Sequence, residues 1–124
     1  MTRLLIADDD PDVLLLLATA LRLAGYQVRT AIDGVQALTM VSVHPPDALL
    51  TDLGMPSLDG WELLRLCRSE PPLADLPIIV MSSVEGLASL AAARGADGYL
   101  VKPFTWQDAR HAIEQVLARR ACDV

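Results

Sequence analysis

Three consecutive carboxylates, Asp8, Asp9 and Asp10, close the apolar run Leu4-Leu5-Ile6-Ala7 and stand directly before Pro11 and a leucine-rich helical pattern. A fourth, Asp52, ends the run Asp47-Ala48-Leu49-Leu50-Thr51. At about 5 Å and an effective dielectric near 20, a pair of carboxylates repels by roughly 3 kcal/mol, so crowding them at strand ends is costly without a positive charge among them. Oxygen-only donors suit a hard divalent cation, Mg²⁺ or Ca²⁺, and not zinc. Helix capping accounts for part of the cluster, because Asp10 before Pro11 is a good helix start and Asp12 favours the positive end of the helix. Capping leaves Asp8 and Asp9 for the cation.

A carboxylate presented at a turn is also a nucleophile toward phosphorus, giving an acyl phosphate. Asp52 meets that requirement, because Leu53-Gly54-Met55-Pro56 turns the backbone immediately behind it. Phosphoryl transfer asks for positioning and charge stabilisation more than for covalent work by the protein. Ser82 and Lys102 follow two later apolar runs and would supply a hydroxyl donor and a second positive charge. Each alone reads equally well as a loop residue; their joint placement points to a site.

The elements that must position these groups follow from patterning. Short apolar runs alternate with helical patterns five times, the signature of βα units around a parallel sheet. Strands are predicted near 3–7, 27–31, 47–51, 77–81 and 98–101, and the unbroken run Pro77-Ile78-Ile79-Val80-Met81 indicates burial on both faces. The first helix carries the stripe Val13, Leu16, Leu17, Ala20 and Leu21 and ends at Gly25, with Leu14 and Leu15 off the stripe. Helices are predicted over 34–43 before Pro45-Pro46, over 60–69 before Pro71-Pro72, and over 84–94 before Gly95. The last helix has Ala109, Ala112, Ile113, Val116 and Leu117 on one face. In an open parallel sheet, ligands bind beyond the carboxyl ends of the strands. Asp8, Asp9, Asp52, Ser82 and Lys102 all fall there.

The bulk numbers set limits. A chain of 124 residues that is 52% apolar is predicted to be one domain, 1–124. The longest apolar stretch, 13–18, is far below the roughly 20 residues that span a bilayer, and Met1-Thr2-Arg3 runs straight into a strand pattern, so neither a leader nor a membrane segment is expected. Cys67 and Cys122 form no CxxC and suit a reducing cytoplasm, with no disulfide framework or zinc site. The net charge of −6 disfavours nonspecific attraction to nucleic-acid phosphates, and Arg119 and Arg120 read as cations at a helix C-terminus. His44 and His111 lack metal-ligand spacing, and Trp61 and Trp106 read as packing.

Six pieces, Leu5-Ile6-Ala7-Asp8-Asp9-Asp10-Pro11, Thr51-Asp52-Leu53-Gly54-Met55-Pro56, Leu58-Asp59-Gly60, Pro77 through Ser83, Gly95-Ala96-Asp97 and Gly98 through Phe104, occur in this order. Together they resemble the receiver domain of bacterial two-component response regulators, chemotaxis-type single-domain regulators in particular, over positions 4–117. The resemblance implies a flavodoxin-like, doubly wound α/β fold with a five-stranded parallel sheet of order 2-1-3-4-5 and five helices. It makes Asp52 the phosphoacceptor, Asp9 a direct Mg²⁺ ligand with Asp52 and the Gly54 backbone carbonyl, and Asp8 a ligand mainly through water. Ser82 becomes the switch hydroxyl, Tyr99 the switch aromatic and Lys102 the phosphate-binding lysine, with a cis peptide between Lys102 and Pro103.

The implied activity is transfer of phosphate from a phosphohistidine of a sensor histidine kinase, or of a phosphotransfer protein, to Asp52, followed by Mg²⁺-assisted hydrolysis. Such a domain catalyses its own modification and is not a conventional turnover enzyme. The implied setting is cytoplasmic, with a downstream protein target, no membrane and no direct nucleic-acid binding. Helix 4, strand 5 and helix 5 would form the output or dimer face. Three features depart from the family pattern: serine at the switch position, a shortened segment between Ser82 and Tyr99, and Leu14 and Leu15 where charge is common. If exposed, the two leucines would form an apolar patch that docks the helices of the phosphodonor; the alternative is that they pack against neighbouring loops. A Mg²⁺-dependent phosphohydrolase and a phosphorylation-independent scaffold of the same fold are the rival readings.

Overall fold

The computed structural model describes residues 1–122, with side-chain surroundings for 1–119. Its elements are β1 (Arg3–Ala7), α1 (Pro11–Leu23), β2 (Gln27–Ala31), α2 (Gly34–Val43), β3 (Ala48–Asp52), α3 (Gly60–Ser69), β4 (Ile78–Ser82), α4 (Ala88–Ala93), β5 (Gly98–Val101) and α5 (Trp106–Cys122). A short 3₁₀ turn, Pro71–Leu73, follows α3. All five strands pair in parallel in the order β2-β1-β3-β4-β5, the doubly wound arrangement that the resemblance implied.

Alternation along the strands splits the interior into two layers. Leu5, Leu49, Ile78 and Val80 face one way, onto Ala37 and Val41 of α2, Leu63, Leu64 and Cys67 of α3 and Ala91 of α4. Leu4, Ile6, Leu50, Ile79 and Met81 face the other way, onto Leu14, Leu17 and Leu21 of α1 and Ala109, Ile113 and Val116 of α5. Every residue of β3 and β4 is buried, as their unbroken apolar runs require. Among the described residues, no helix is long and apolar enough to cross a membrane.

Helices α2 and α3 occupy the predicted spans, each started by an aspartate cap: Asp33 Oδ1 accepts from Gln36 N at 2.7 Å and Asp59 Oδ1 from Glu62 N at 2.9 Å. Asp10 caps α1, its Oδ1 accepting from Asp12 N at 2.9 Å and Val13 N at 3.5 Å. The structure corrects three expectations. Strands β3 and β4 each sit one residue later than predicted, so Asp52 and Ser82 are their last residues and remain in the sheet. Helix α4 starts at Ala88 and not at position 84, because Gly86 takes a positive φ of 83°, outside the helical region, and no side chain caps the helix start. Helix α1 is rotated relative to its predicted stripe: Leu14 is 5% exposed, whereas Leu15 and Leu16 are 67% and 75% exposed. The predicted Leu14–Leu15 patch is therefore a Leu15–Leu16 pair.

Arg68, at the end of α3, ties several elements together. Its guanidinium donates to the carbonyls of Gly95 (2.9 Å), Leu76 (2.7 Å) and Ala74 (3.2 Å) and to Asp97 Oδ2 (2.9 Å), which also accepts from Ile78 N at 2.9 Å. Arg119 of α5 donates to Asp97 O, fixing this predicted helix-end cation to the turn before β5; the side chains of Arg120 and Cys122 lie outside the described residues. Arg68→Met should lower stability by about 2–4 kcal/mol, since it takes the cation from the Asp97 carboxylate and a donor from several carbonyls in a partly buried setting. Urea melts at neutral pH check this as a fall in midpoint with unchanged slope.

Candidate functional site

Because β1 lies beside β3, with Ala7 opposite Thr51, the carboxylates that follow β1 meet the one that ends β3. Ligand oxygens of Asp8, Asp9 and Asp52 lie within 4.8 Å of one another. Asp8 is fully buried, Asp52 is 8% exposed and Asp9 is open to solvent. Asp8 Oδ1 accepts from Asp10 N at 3.0 Å, and its other oxygen accepts from Lys102 Nζ at 2.6 Å. Lys102 Nζ also sits 3.2 Å from Asp52 Oδ1. The lysine comes from the end of β5, two strands away from Asp52, and the Lys102–Pro103 peptide is cis.

Three carboxylates thus gather at one point, and one ammonium pairs with two of them, Asp8 and Asp52. Burial pushes the Asp52 carboxyl above the usual carboxylate range; the charge of Asp8 adds to the rise, and Lys102 opposes it. Burial pulls Lys102 downward, but the hydrogen bond and charge of Asp8, with those of Asp52, outweigh it and hold the ammonium above its ordinary value. The negative surplus, all of it on carboxylate oxygen and none on nitrogen or sulfur, fits a hard divalent cation.

The remaining predicted residues converge from the other half of the sheet. Ser82 ends β4, is 7% exposed, and its Oγ accepts from Val84 N at 3.0 Å. Tyr99, half-buried in β5, donates its hydroxyl to Val84 O. Ser82 and Tyr99 therefore hold the same loop residue. Gly54 lies exposed in the loop after β3, where it lines a cleft of about 440 Å³ together with Asp52, Ser82 and Lys102.

Besides Val84, sequence reasoning missed two contributors. Thr51, fully buried, donates its hydroxyl to Asp52 O at 3.0 Å and so tethers the backbone that carries the carboxylate. Trp61, read from sequence as packing, lines the cleft. Its signal was positional: it stands in the first turn of a helix that starts at the carboxyl edge of the sheet, beside Asp52. Cys67 agrees with its sequence reading, since burial pushes its thiol up to about 11 and leaves it protonated and inert.

The model of the response regulator receiver domain matches residues 4–114. The transcriptional regulatory protein PrrA of Mycobacterium tuberculosis is 39% identical over 120 residues, which are 95% of this chain and 51% of PrrA, so the chain spans about half the length of that relative. A putative response regulator from Chloroflexus aurantiacus superposes with a TM-score of 0.88 at 36% identity, covering 94% of this chain and 98% of that one. The receiver domain of sensor histidine kinase PA1611 from Pseudomonas aeruginosa, solved with a magnesium ion coordinated in its active-site cleft, superposes with a TM-score of 0.85 at 27% identity, covering 94% and 98%.

One expectation falls here. The sequence reading took the charge of −6 to disfavour attraction to nucleic acid and expected no direct nucleic-acid binding, yet a relative so similar over this domain is a transcriptional regulatory protein. The charge of one domain sets only that domain's attraction to phosphates and carries no information about the half of the relative beyond the match. The matched span, the sheet order and the gathering of these residues at one sheet edge agree: the chain belongs to the response regulator receiver domain family of two-component systems.

Proposed function

We propose that this receiver domain accepts a phosphoryl group on Asp52 from a phosphohistidine donor and uses the modification to reset the loop after β4. The observation that carries the reading is the meeting of three carboxylates and one ammonium, with Lys102 Nζ 3.2 Å from Asp52 Oδ1. In the transfer, an Asp52 oxygen forms a bond to phosphorus as the phosphorus–nitrogen bond breaks, and its electron pair returns to the imidazole, which takes a proton from solvent. Reversal to the free carboxylate follows when water attacks phosphorus and inorganic phosphate leaves. Asp9, Asp52 and the Gly54 carbonyl, with Asp8 behind them, would hold Mg²⁺, which would supply charge neutralisation for the phosphoryl oxygens.

The chain's own groups do the rest. Lys102 offsets charge on the incoming phosphoryl group, and Asp8 holds the ammonium in place from a fully buried position. Ser82 Oγ accepts from Val84 N and keeps its own proton for a phosphoryl oxygen. Since Tyr99 is bonded to the carbonyl of the same Val84, a shift of Ser82 toward the phosphoryl group strains that bond and frees the tyrosine ring to move.

Incubation with Mg²⁺ and a small phosphodonor, followed by intact mass, tests the reading. The native chain should gain one phosphate, and only with the metal present, whereas Asp52→Asn should gain none. An adduct on Asp52→Asn, or none on the native chain, would reject it.

A further inference from the structure

Trp61 belongs to two structures at once. It lines the cleft that holds Asp52, Ser82 and Lys102, and its ring carries the Arg94 guanidinium, whose central carbon lies 4.9 Å from the ring centroid. Arg94 is the C-cap of α4. That helix is otherwise lightly held: it has six residues, no side-chain bond at its start, and Ala91 as its one buried residue. Leu87, at the N-cap, lines the same cleft as Trp61. The helix that follows the Ser82 hydroxyl is therefore fastened beside Trp61 at one end and onto its ring at the other.

We propose that the Trp61–Arg94 stack is a latch that holds α4 in its unmodified position and so opposes occupation of the cleft. This rests on the reading of Asp52 as phosphoacceptor. Only five residues, 83–87, join Ser82 to α4, so closure of Ser82 onto a phosphoryl oxygen pulls the start of the helix, while the stack retains its end. The two arrangements differ in whether the guanidinium covers the indole. A solvent-exposed contact of this kind shifts an equilibrium by about two- to five-fold. Breaking it moves the population toward the closed arrangement and tightens binding of whatever fills the cleft by the same factor.

Amide hydrogen exchange of the unmodified chain reads the latch without any phosphoryl group. In Arg94→Gln, segment 84–95 should exchange about two- to five-fold faster, with the strands unchanged, and Arg94→Lys should restore part of the protection. The second measurement titrates beryllofluoride with Mg²⁺, followed by Trp61 emission in a Trp106→Phe background; the Arg94→Gln chain should bind tighter by the same factor. Unchanged exchange overturns the latch. Faster exchange with native beryllofluoride affinity overturns its coupling to the cleft. Faster exchange with no beryllofluoride response in any chain supports the latch and rejects Asp52 as phosphoacceptor.

Discussion

Lys102→Met should lower stability by about 2–4 kcal/mol at neutral pH, a large share of the roughly 5–15 kcal/mol that holds a domain together. The substitution preserves apolar bulk but leaves Asp8, with 1% of its side chain exposed, and Asp52 as carboxylates with no cation between them. The figure sits below the full range for a broken buried pair because the lysine keeps 22% of its side chain in water. The sign of the pH dependence follows from two shifts. Lys102 is held above its ordinary value of 10.5, so while its carboxylate partners are ionised its pairing stabilises the fold, and on the alkaline side that is lost only as pH rises through the raised value. Asp52 is raised above 3.8, so its ionisation disfavours the fold, and that penalty builds as pH climbs from 3.8 toward the raised value and is complete above it. The deficit of Lys102→Met should therefore be greatest at neutral pH and shrink on acidification, with Asp52 neutralised above its ordinary value. Asp52→Asn should be more stable than the native chain at neutral pH, lose that advantage in acid, and rescue Lys102→Met in a double-mutant cycle. Thermal melts at pH 7 and pH 4 in the presence of a chelator check all three; a deficit that grows in acid would reject the charge argument.

Gly60→Ala should be the other severe substitution. A Cβ built on Gly60 would stand 2.2 Å from Asp52 O and 2.8 Å from Leu53 Cα, distances no side chain can relieve because both neighbours are backbone. Gly60 N also donates to Leu53 O at 3.0 Å, so the start of α3 rests directly on the strand end that presents Asp52. Accommodating the methyl means moving either the helix or that strand end. The expected loss is about 3 kcal/mol or more, at the upper end of overpacking costs, together with weaker phosphate uptake. Gly54→Ala provides the contrast: its Cβ would meet nothing within 4 Å, so stability should stay within about 0.5 kcal/mol although the residue borders the cleft. Circular-dichroism melts of the two variants side by side give the comparison.

Most of the architecture was readable from hydrophobic runs and punctuation. The ends of α2 and α3 followed from the prolines beyond them, and β1, β2 and β5 from short apolar runs. The rotation of α1 was not readable. Val13 through Ala18 is unbroken apolar sequence, so a stripe through 13, 16, 17, 20 and 21 and one through 14, 17, 18 and 21 fit the 3.6-residue period equally, differing by one step of about 100°. Only the third dimension, where α1 lies against the sheet, chose Leu14 over Leu16. The start of α4 was missed because the backbone of Gly86, free to take a positive φ, overrode a run with helical propensity. For the site, the predicted residues meet at one edge because every strand is parallel and ends there. Thr51, Trp61 and Val84 escaped notice because their parts are played through a hydroxyl bonded to backbone, a ring face and backbone atoms, which residue type alone does not announce.

The strand order carries a genetic consequence. All three acids arise from the neighbouring pair β1 and β3, while Ser82, Tyr99 and Lys102 arise from β4 and β5. Inheritance can therefore vary Ser82 and Tyr99 without touching the acids, whereas Lys102, paired with Asp8 and Asp52, is bound to them, so that a change on one side of that pair must be matched on the other.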